Sequence, residues 1–398
     1  MRILVTGAKG FVGKNLCEAL KNIRDGKDRR EQYQSLLPLT IYELDRNSSD
    51  EDLAIFAKDA DFVFNLAGIN RPKDDIEFVE GNVSFVEKLL SKLEEHRNTC
   101  PVVLTSSQQA SLEGRYAGSK YGESKLAGEQ LCRDYSSRTG APVLIYRLPN
   151  LYGKWCKPNY NSAVATFCNN IANDLPIQVN DENTKLELLY IDDLVTTFLD
   201  AACQTYSNSE GADKFFSAEP TDIVTLGEIV NLLYEFKNAR NTLGIPNLSD
   251  NSFSKKLCST YESYLNPNDF SYPLDSNSDS RGSFTELLKT PDRGQVSINV
   301  TAPGQIKGNH WHNTKWEKFI VVSGEGVVQQ RKIGFDVDGN PFPKTEYKLN
   351  GLHPSVVDTP PGYTHNLINT SDTLDLITII WCNEVFDPGN PDTYFEEV

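Results

Sequence analysis

Short apolar runs alternate with amphipathic stretches through the first half of the chain. RILVTG (2–7) leads into FVGKNLCEAL (11–20), and LTIYEL (39–44), DADFVFNLAG (59–68), CPVVLTSS (100–107) and APVLIYR (141–147) follow with helical patterns between them. Near-continuous apolar strands suit a sheet covered on both faces, so this half predicts a parallel α/β sheet with helices on either side. From about residue 285 the texture changes to short alternating strands and Gly/Pro turns: GQVSINVTAPG, KFIVVSGEGVVQQ, TEYKLN, SVVDTPPG and TLDLITIIW. That period of two predicts an antiparallel all-β domain, a sandwich or barrel. The stretch 243–282 between them is rich in Ser, Asn, Asp and Pro and reads as a connector with some helix. The expected boundary lies near residue 268, giving domains 1–268 and 269–398. FDVDGNPFPK (335–344) reads as an extended hairpin loop around Asp338-Gly339.

Composition narrows the choice of partners. The chain has 398 residues, a formal charge of -16 and 24% charged residues. So acidic a surface repels nucleic-acid backbones and anionic membranes. No run reaches the roughly 18 apolar residues of a membrane span, and MRILVTGAKG enters a strand at once, so membrane insertion is not expected and a cytoplasmic location is. The eight cysteines are scattered, without a C-x-x-C, and read as reduced, mostly buried thiols. Histidine carries more information. Four of only five, His310, His312, His353 and His365, fall within 56 residues, which points to a metal or acid-base site.

Two local patterns in the first half carry chemistry. Gly7, Gly10 and Gly13, with Lys9, Phe11 and Val12 between and beside them, follow the first strand and open a helix. Glycines there allow a tight turn and close approach to a pyrophosphate, whose charge the helix N-terminus favours. NLAG, with Leu66, Ala67 and Gly68, ends a later strand with small residues along which a flat ring can lie. The stretch RYAGSKYGESK contains Tyr-x-x-x-Lys twice, as Tyr116/Lys120 and Tyr121/Lys125. Four residues on a helix put a phenol and an ammonium on one face, where the ammonium makes the phenol a usable acid. An offset of five rotates the second pair by about 140° from the first, so only one pair can serve a given pocket.

With Tyr121-Gly122-Glu123-Ser124-Lys125 and Glu129 in place, the sequence resembles the extended short-chain dehydrogenase/reductase (SDR) family, a Rossmann-like fold. That resemblance selects Tyr121/Lys125, since Tyr116 lacks the following Gly. It implies that Ser107 polarises the substrate oxygen, with Ser106 as the alternative. Tyr121 is then the general acid, and Lys125 holds the ribose and lowers the Tyr pKa. RLPNLYGKW is similar to the family's sugar-nucleotide loop, which makes Arg147, Asn150 and Lys157 candidate substrate contacts. The other reading of Arg147 is a simple pairing with a surface carboxylate. Asp45 and Arg46 follow the second strand; an acidic residue there suits NAD and an Arg suits the 2′-phosphate of NADP. With Lys9 in the turn, NADP(H) is expected.

GQIKGNHWHNTKWEKFIVVSG (304–324) has the spacing of the first cupin motif, with His310, His312 and Glu317, and His365 falls in a partial second motif. The resemblance implies a C-terminal all-β cupin, a jelly-roll barrel, holding one divalent metal. Imidazole and carboxylate suit zinc, iron, manganese or nickel. His353 lies outside both motifs and reads as structural or surface.

A reductase followed by a cupin resembles the bifunctional capsular-polysaccharide synthesis enzymes of the CapF (WbjC) type. TGAKGFVGKNL, YGESKLAGEQL, KGNHWHNTK and FDPGNPDTYFEEV carry that likeness. It implies that the cupin epimerises C3 of UDP-2-acetamido-2,6-dideoxy-4-hexulose and that the SDR domain reduces its C4 ketone with NADPH. The product is UDP-2-acetamido-2,6-dideoxy-L-talose, on the route to UDP-N-acetyl-L-fucosamine. Zinc is the implied metal, and a homodimer is expected. Lys307, Glu317 and Tyr363 remain open as the general base of the cupin. The competing reading is a one-step reductase with a non-catalytic cupin for binding or dimerisation.

Overall fold

The computed structural model describes residues 1–72, 74, 76–206, 214–246, 248 and 252–398. The chain divides into two compact units, Met1–Tyr234 with Leu248–Asn266, and Glu235–Asn247 with Pro267–Val398. Residues 243–245 join the second unit through backbone bonds: Ile245 donates to Lys289, and Lys289 donates to Leu243.

The strands of the first unit are β1 (Arg2–Thr6), β2 (Thr40–Leu44), β3 (Phe62–Asn65), β4 (Val102–Ser107), β5 (Val143–Leu148), β6 (Asn150–Tyr152), β7 (Lys185–Tyr190), β8 (Phe215–Phe216) and β9 (Thr221–Thr225). Its main sheet runs β2-β1-β3-β4-β5-β8, parallel throughout. Because successive side chains alternate between faces, each strand feeds two cores. Ile3, Val5, Phe62, Phe64 and Leu144 pack against the helices Phe11–Arg24 and Ile191–Ala202. Leu4, Val63, Val102, Leu104 and Ile145 pack against Asp50–Asp59, Phe85–Glu95 and Lys120–Thr139. This doubly wound, Rossmann-like layering explains why the strands read as unbroken apolar runs. The chain passes from β1 outward to β2 and then back to β3 on the other side of β1. The turns after β1 and β3 therefore meet at the crevice where ligands bind in such folds. A second, three-stranded sheet, β6-β7-β9, completes the unit.

The second unit contains β10 (Ser276–Asp279), β11 (Gly282–Thr290), β12 (Gly294–Thr301), β13 (Ile306–Trp311), β14 (Glu317–Ser323), β15 (Glu325–Lys332), β16 (Thr345–Asn350), β17 (Val356–Thr359), β18 (Tyr363–Asn369), β19 (Leu376–Cys382) and β20 (Tyr394–Phe395). They form two antiparallel sheets, β10-β11-β12-β19-β14-β17 and β16-β15-β18-β13-β20, a cupin-like β domain. Phe319, Val321, Val328, Leu349, Val357, Leu367 and Leu376 form its apolar core. The β15–β16 connection is the long loop expected around Asp338, where Gly339 takes a left-handed turn (φ 79). Among the described residues no helix is long and apolar enough to cross a membrane.

Candidate active and metal sites

In the first unit, close approach of backbone builds the nucleotide end. Gly7 is left-handed (φ 64), and a Cβ there would lie 2.9 Å from the backbone of Ala67; at Gly13 it would lie 2.2 Å from the Gly7 carbonyl. No larger residue fits either position. Gly10 stands at the N-cap of the Phe11–Arg24 helix. Thr6 donates to Asn65 Oδ1 at 2.7 Å and accepts from the Leu66 and Ala67 amides, so the turn and NLAG are stitched together. At the tip of β2, Lys9 Nζ pairs with Asp45 and holds that carboxyl below its usual range. Arg46 beside it is exposed and makes no ion pair among the described residues.

The two tyrosine-lysine pairs separate because the helix starts between them. Ser119 caps it, accepting from the Gly122 amide at 3.0 Å, and the helical residues run Lys120–Thr139. Such a cap stabilises a helix by about 1 kcal/mol. Tyr116 lies upstream in a short 3-10 turn, where its hydroxyl accepts from Arg115, while Lys120 pairs with Glu123. Tyr121 and Lys125 share a helical face. The glycines of YGESKLAGE have a packing reason. A Cβ at Gly122 would lie 2.3 Å from the Gln109 carbonyl, and at Gly128 2.9 Å from the Asn82 carbonyl. The helix is thus pressed against the loop after β4, which carries Ser107.

The Ser107 hydroxyl lies close enough to the Tyr121 phenol to act on its ionisation. Burial pushes the phenol up to about 12, and Ser107 works the other way. Burial also drives Lys125 down to about 8, against the pull of Glu129. Its ammonium sits against Gly68. In this arrangement the neighbour that favours the phenolate is Ser107. Ser106 points elsewhere and donates to the buried Glu129. Sequence reasoning did not single out Asn82, which ties the parts together: it bonds both backbone groups of Ile69 at 2.9 Å and donates to Ser124 at 3.0 Å. Nothing local in FVEGNVSFV marks it.

The candidate substrate contacts part company. The Arg147 guanidinium grips Glu129 through two bonds, at 2.9 and 2.7 Å, and its other face lies 3.8 Å from the Phe215 ring centre. It pairs with a carboxylate, as the other reading of Arg147 has it, and that carboxylate is buried. Asn150 is exposed at the start of β6, donating to the Glu187 carbonyl at 3.4 Å, and Lys157 is exposed near Tyr160.

In the second unit, the structure draws His310, His312, Glu317 and His365 together, one ligand atom from each lying within 4.8 Å of all the others. His310 and His365 face each other across the β13–β18 pair. A bulge with left-handed Asn309 (φ 58) precedes His310. Nε2 of His365 and of His312 approach Glu317 Oε2 at 3.1 and 3.6 Å. All three atoms are buried and lack an oriented hydrogen bond. Burial alone would raise Glu317, but the two imidazoles outweigh it and hold the carboxylate well below its usual range. Burial, helped by His365, lowers His310 to about 4. Orphaned nitrogen and carboxylate lone pairs converging on one point fit a divalent cation. The cluster faces a cavity of about 440 Å³, which Asp279, Arg281, Asn299 and Lys307 also line. His353 is exposed, away from it.

A doubly wound sheet carrying a Ser-Tyr-Lys set beside its glycine turns has the architecture of a nucleotide-dependent oxidoreductase, and the chain adds to it a β domain with a four-ligand cluster. The chain belongs to the NAD dependent epimerase/dehydratase family, which matches residues 3–215, and residues 277–394 match the polysaccharide biosynthesis C-terminal domain. More particularly, it is 40% identical over 394 residues to the UDP-2-acetamido-2,6-beta-L-arabino-hexul-4-ose reductase of Pseudomonas aeruginosa, covering 99% of this chain and 98% of that one. The crystal structure of the capsular polysaccharide assembling protein CapF from Staphylococcus aureus superimposes with a TM-score of 0.86 at 49% identity, covering 100% of both chains. UDP-glucuronic acid 4-epimerase from Bacillus cereus shares the fold over 66% of this chain and 98% of its own, at 21% identity and a TM-score of 0.51.

Proposed function

We propose that this chain makes a UDP-linked amino sugar for a capsular or surface polysaccharide in the cytoplasm, as a homodimer, by two steps divided between its units. The substrate is UDP-2-acetamido-2,6-dideoxy-4-hexulose. In the second unit its C3 centre is inverted; in the first its C4 ketone is reduced to give UDP-2-acetamido-2,6-dideoxy-L-talose. The observation that carries the reductive step is the meeting of Ser107, Tyr121 and Lys125, in a chain matched end to end by a 4-ketose reductase.

A bound nicotinamide supplies the hydride to C4. The Ser107 hydroxyl orients the ketone oxygen, and Tyr121 delivers its proton to that oxygen as the charge develops. A phenol near 12 is a poor acid, so an ammonium at Lys125 is needed to favour its ionised form, and the same residue would hold the ribose of a bound cofactor. The tip of β2 favours NADP(H), since Lys9 offsets the Asp45 carboxylate and leaves the exposed Arg46 cation to meet a 2′-phosphate.

The C4 ketone acidifies the C3 hydrogen. Zinc, held by His310, His312, Glu317 and His365, would supply Lewis-acid polarisation of the substrate's oxygens when bound. The second reading, a β domain that binds without catalysis, also has an observation in its favour. Glu317 is engaged by two imidazoles, Tyr363 does not line the cavity, and all three Lys307 ammonium hydrogens have acceptors, in Ser283, Asn299 and Val300. An ammonium so satisfied is a fixed cation rather than a ready base.

Incubation of the protein with the 4-keto substrate in deuterated buffer, with and without NADPH, tests the proposal. We expect deuterium at C3 without NADPH and reduced product with it. Reduction without any C3 exchange would leave the β domain as a binding module.

A further inference from the structure

The four ligands of the second unit are not oriented alike. His365 Nδ1 meets the carbonyl of Tyr363, two residues away on its own strand, at 3.3 Å. His312 lies just beyond the end of β13, where no ladder holds it, and its Nδ1 meets the carbonyl of Asp392, 80 residues on, at 2.6 Å. A carbonyl can only accept, so Nδ1 carries the proton and the Nε2 lone pair faces Glu317 and the other ligands.

The same residue fixes the loop that follows His312. Asp392 Oδ1 accepts from the amide and the side chain of Asn313, both at 3.0 Å. Its Oδ2 accepts from the Thr314 amide at 2.9 Å, the Thr314 hydroxyl at 3.0 Å and the Lys315 amide at 3.3 Å. Although burial opposes it, these donors hold the carboxyl well below the usual range. Asp392 takes a left-handed backbone (φ 36), which lets its carbonyl and its carboxylate both face residues 312–315. Around it, the Pro391 carbonyl accepts from the buried Lys315, and β20 pairs with β13 at His310 and Trp311. The 391–396 segment therefore braces both arms of the His-x-His pair, and one aspartate makes the contacts to His312 and its loop.

We propose that Asp392 is the positioning residue of the metal site, setting the tautomer and direction of His312 from a segment that contributes no ligand. This rests on the reading of the four-residue cluster as a divalent metal site. Outer partners of this kind alter metal affinity by about 10- to 100-fold.

The test is a zinc titration of the purified full chain, stripped of metal, against a chromophoric chelator, together with the visible spectrum after cobalt substitution. Asp392→Gly tolerates the left-handed backbone and removes the carboxylate. It should raise the zinc Kd by about 10- to 100-fold and alter the cobalt band, while metal-free melting stays close to that of the unmodified protein. Asp392→Asn, which keeps the shape but turns one acceptor into a donor, should fall between the two and covers the case in which the glycine variant does not fold. Asp387→Ala, just before this segment and removing a carboxylate that accepts from the Gly389 amide, should match the unmodified protein. Equal Kd and equal cobalt spectra for both folded Asp392 variants overturn the inference alone. Absence of zinc binding by the unmodified protein overturns the metal reading and the inference with it.

Discussion

The two sites solve opposite problems. In the first unit the chemistry-bearing side chains are set by close packing: Ser107 lies beside Tyr121, Asn82 bonds Ile69 and Ser124, and glycines at 7, 13, 122 and 128 let backbone close around them. In the second unit three buried ligand atoms, from His312, Glu317 and His365, crowd together without an oriented hydrogen bond. One site is shaped by packing, with backbone close on several sides. The other gathers buried nitrogen and carboxylate lone pairs at one point, an arrangement that a cation satisfies. Hydride chemistry needs alignment and so favours the first design; ion capture needs open lone pairs and so favours the second.

That contrast can be broken most sharply at the ligands. A His310→Ala, His365→Ala double variant should lose zinc and all C3 exchange, yet still oxidise NADPH when given a ketone already inverted at C3. Its melting curve must accompany the assay, because metal binding contributes to β-domain stability. Exchange at the unmodified rate in a folded variant would remove the epimerase reading. Next in size, Tyr121→Phe should lower reduction by about 10²-fold or more while C3 exchange survives. Tyr116→Phe should reduce normally, and equal losses in the two would show that the wrong pair was assigned.

A smaller effect concerns the cofactor. Arg46→Ala should raise the KM for NADPH about tenfold, the weight of one charge-assisted contact, and leave that for NADH nearly unchanged. If the unmodified protein prefers NADH, the assignment fails. The smallest effect is on stability. The folded chain holds Lys125 near 8, against an ordinary 10.5, so between those values the unfolded chain binds more protons and stability rises with pH. Melting of the cofactor-free protein, relative to Lys125→Met, should climb by a few degrees from pH 7.5 to 10. A flat difference would mean that burial does not lower the Lys125 pKa below its ordinary value.

What could be read in the sequence was what is local. The glycine turn, the Tyr121/Lys125 pair and the His-x-His arm each lie within a few residues, so spacing and element type determine who faces whom. Relations between distant positions were not legible. Arg147 looked free because Glu129 sits on the helix before its strand, and only the β4–β5 register with the Lys120–Thr139 helix above shows that they meet. Ser106 and Ser107 looked interchangeable until Glu129 claimed the first. Asp392 lay in a quoted stretch, FDPGNPDTYFEEV, but its partner is 80 residues away.

Ser106, Glu129 and Arg147 stand in three separate motifs, at a strand end, in a helix and in the next strand, yet they share one buried carboxylate. In terms of descent they form a single heritable unit. Loss of Glu129 strands a charge and a hydroxyl, loss of Arg147 strands a buried carboxylate, and Lys cannot replace Arg147, because a point charge does not reproduce a two-pronged grip. Lineages of this chain should therefore exchange the three positions together, through intermediates that fold poorly, or not at all.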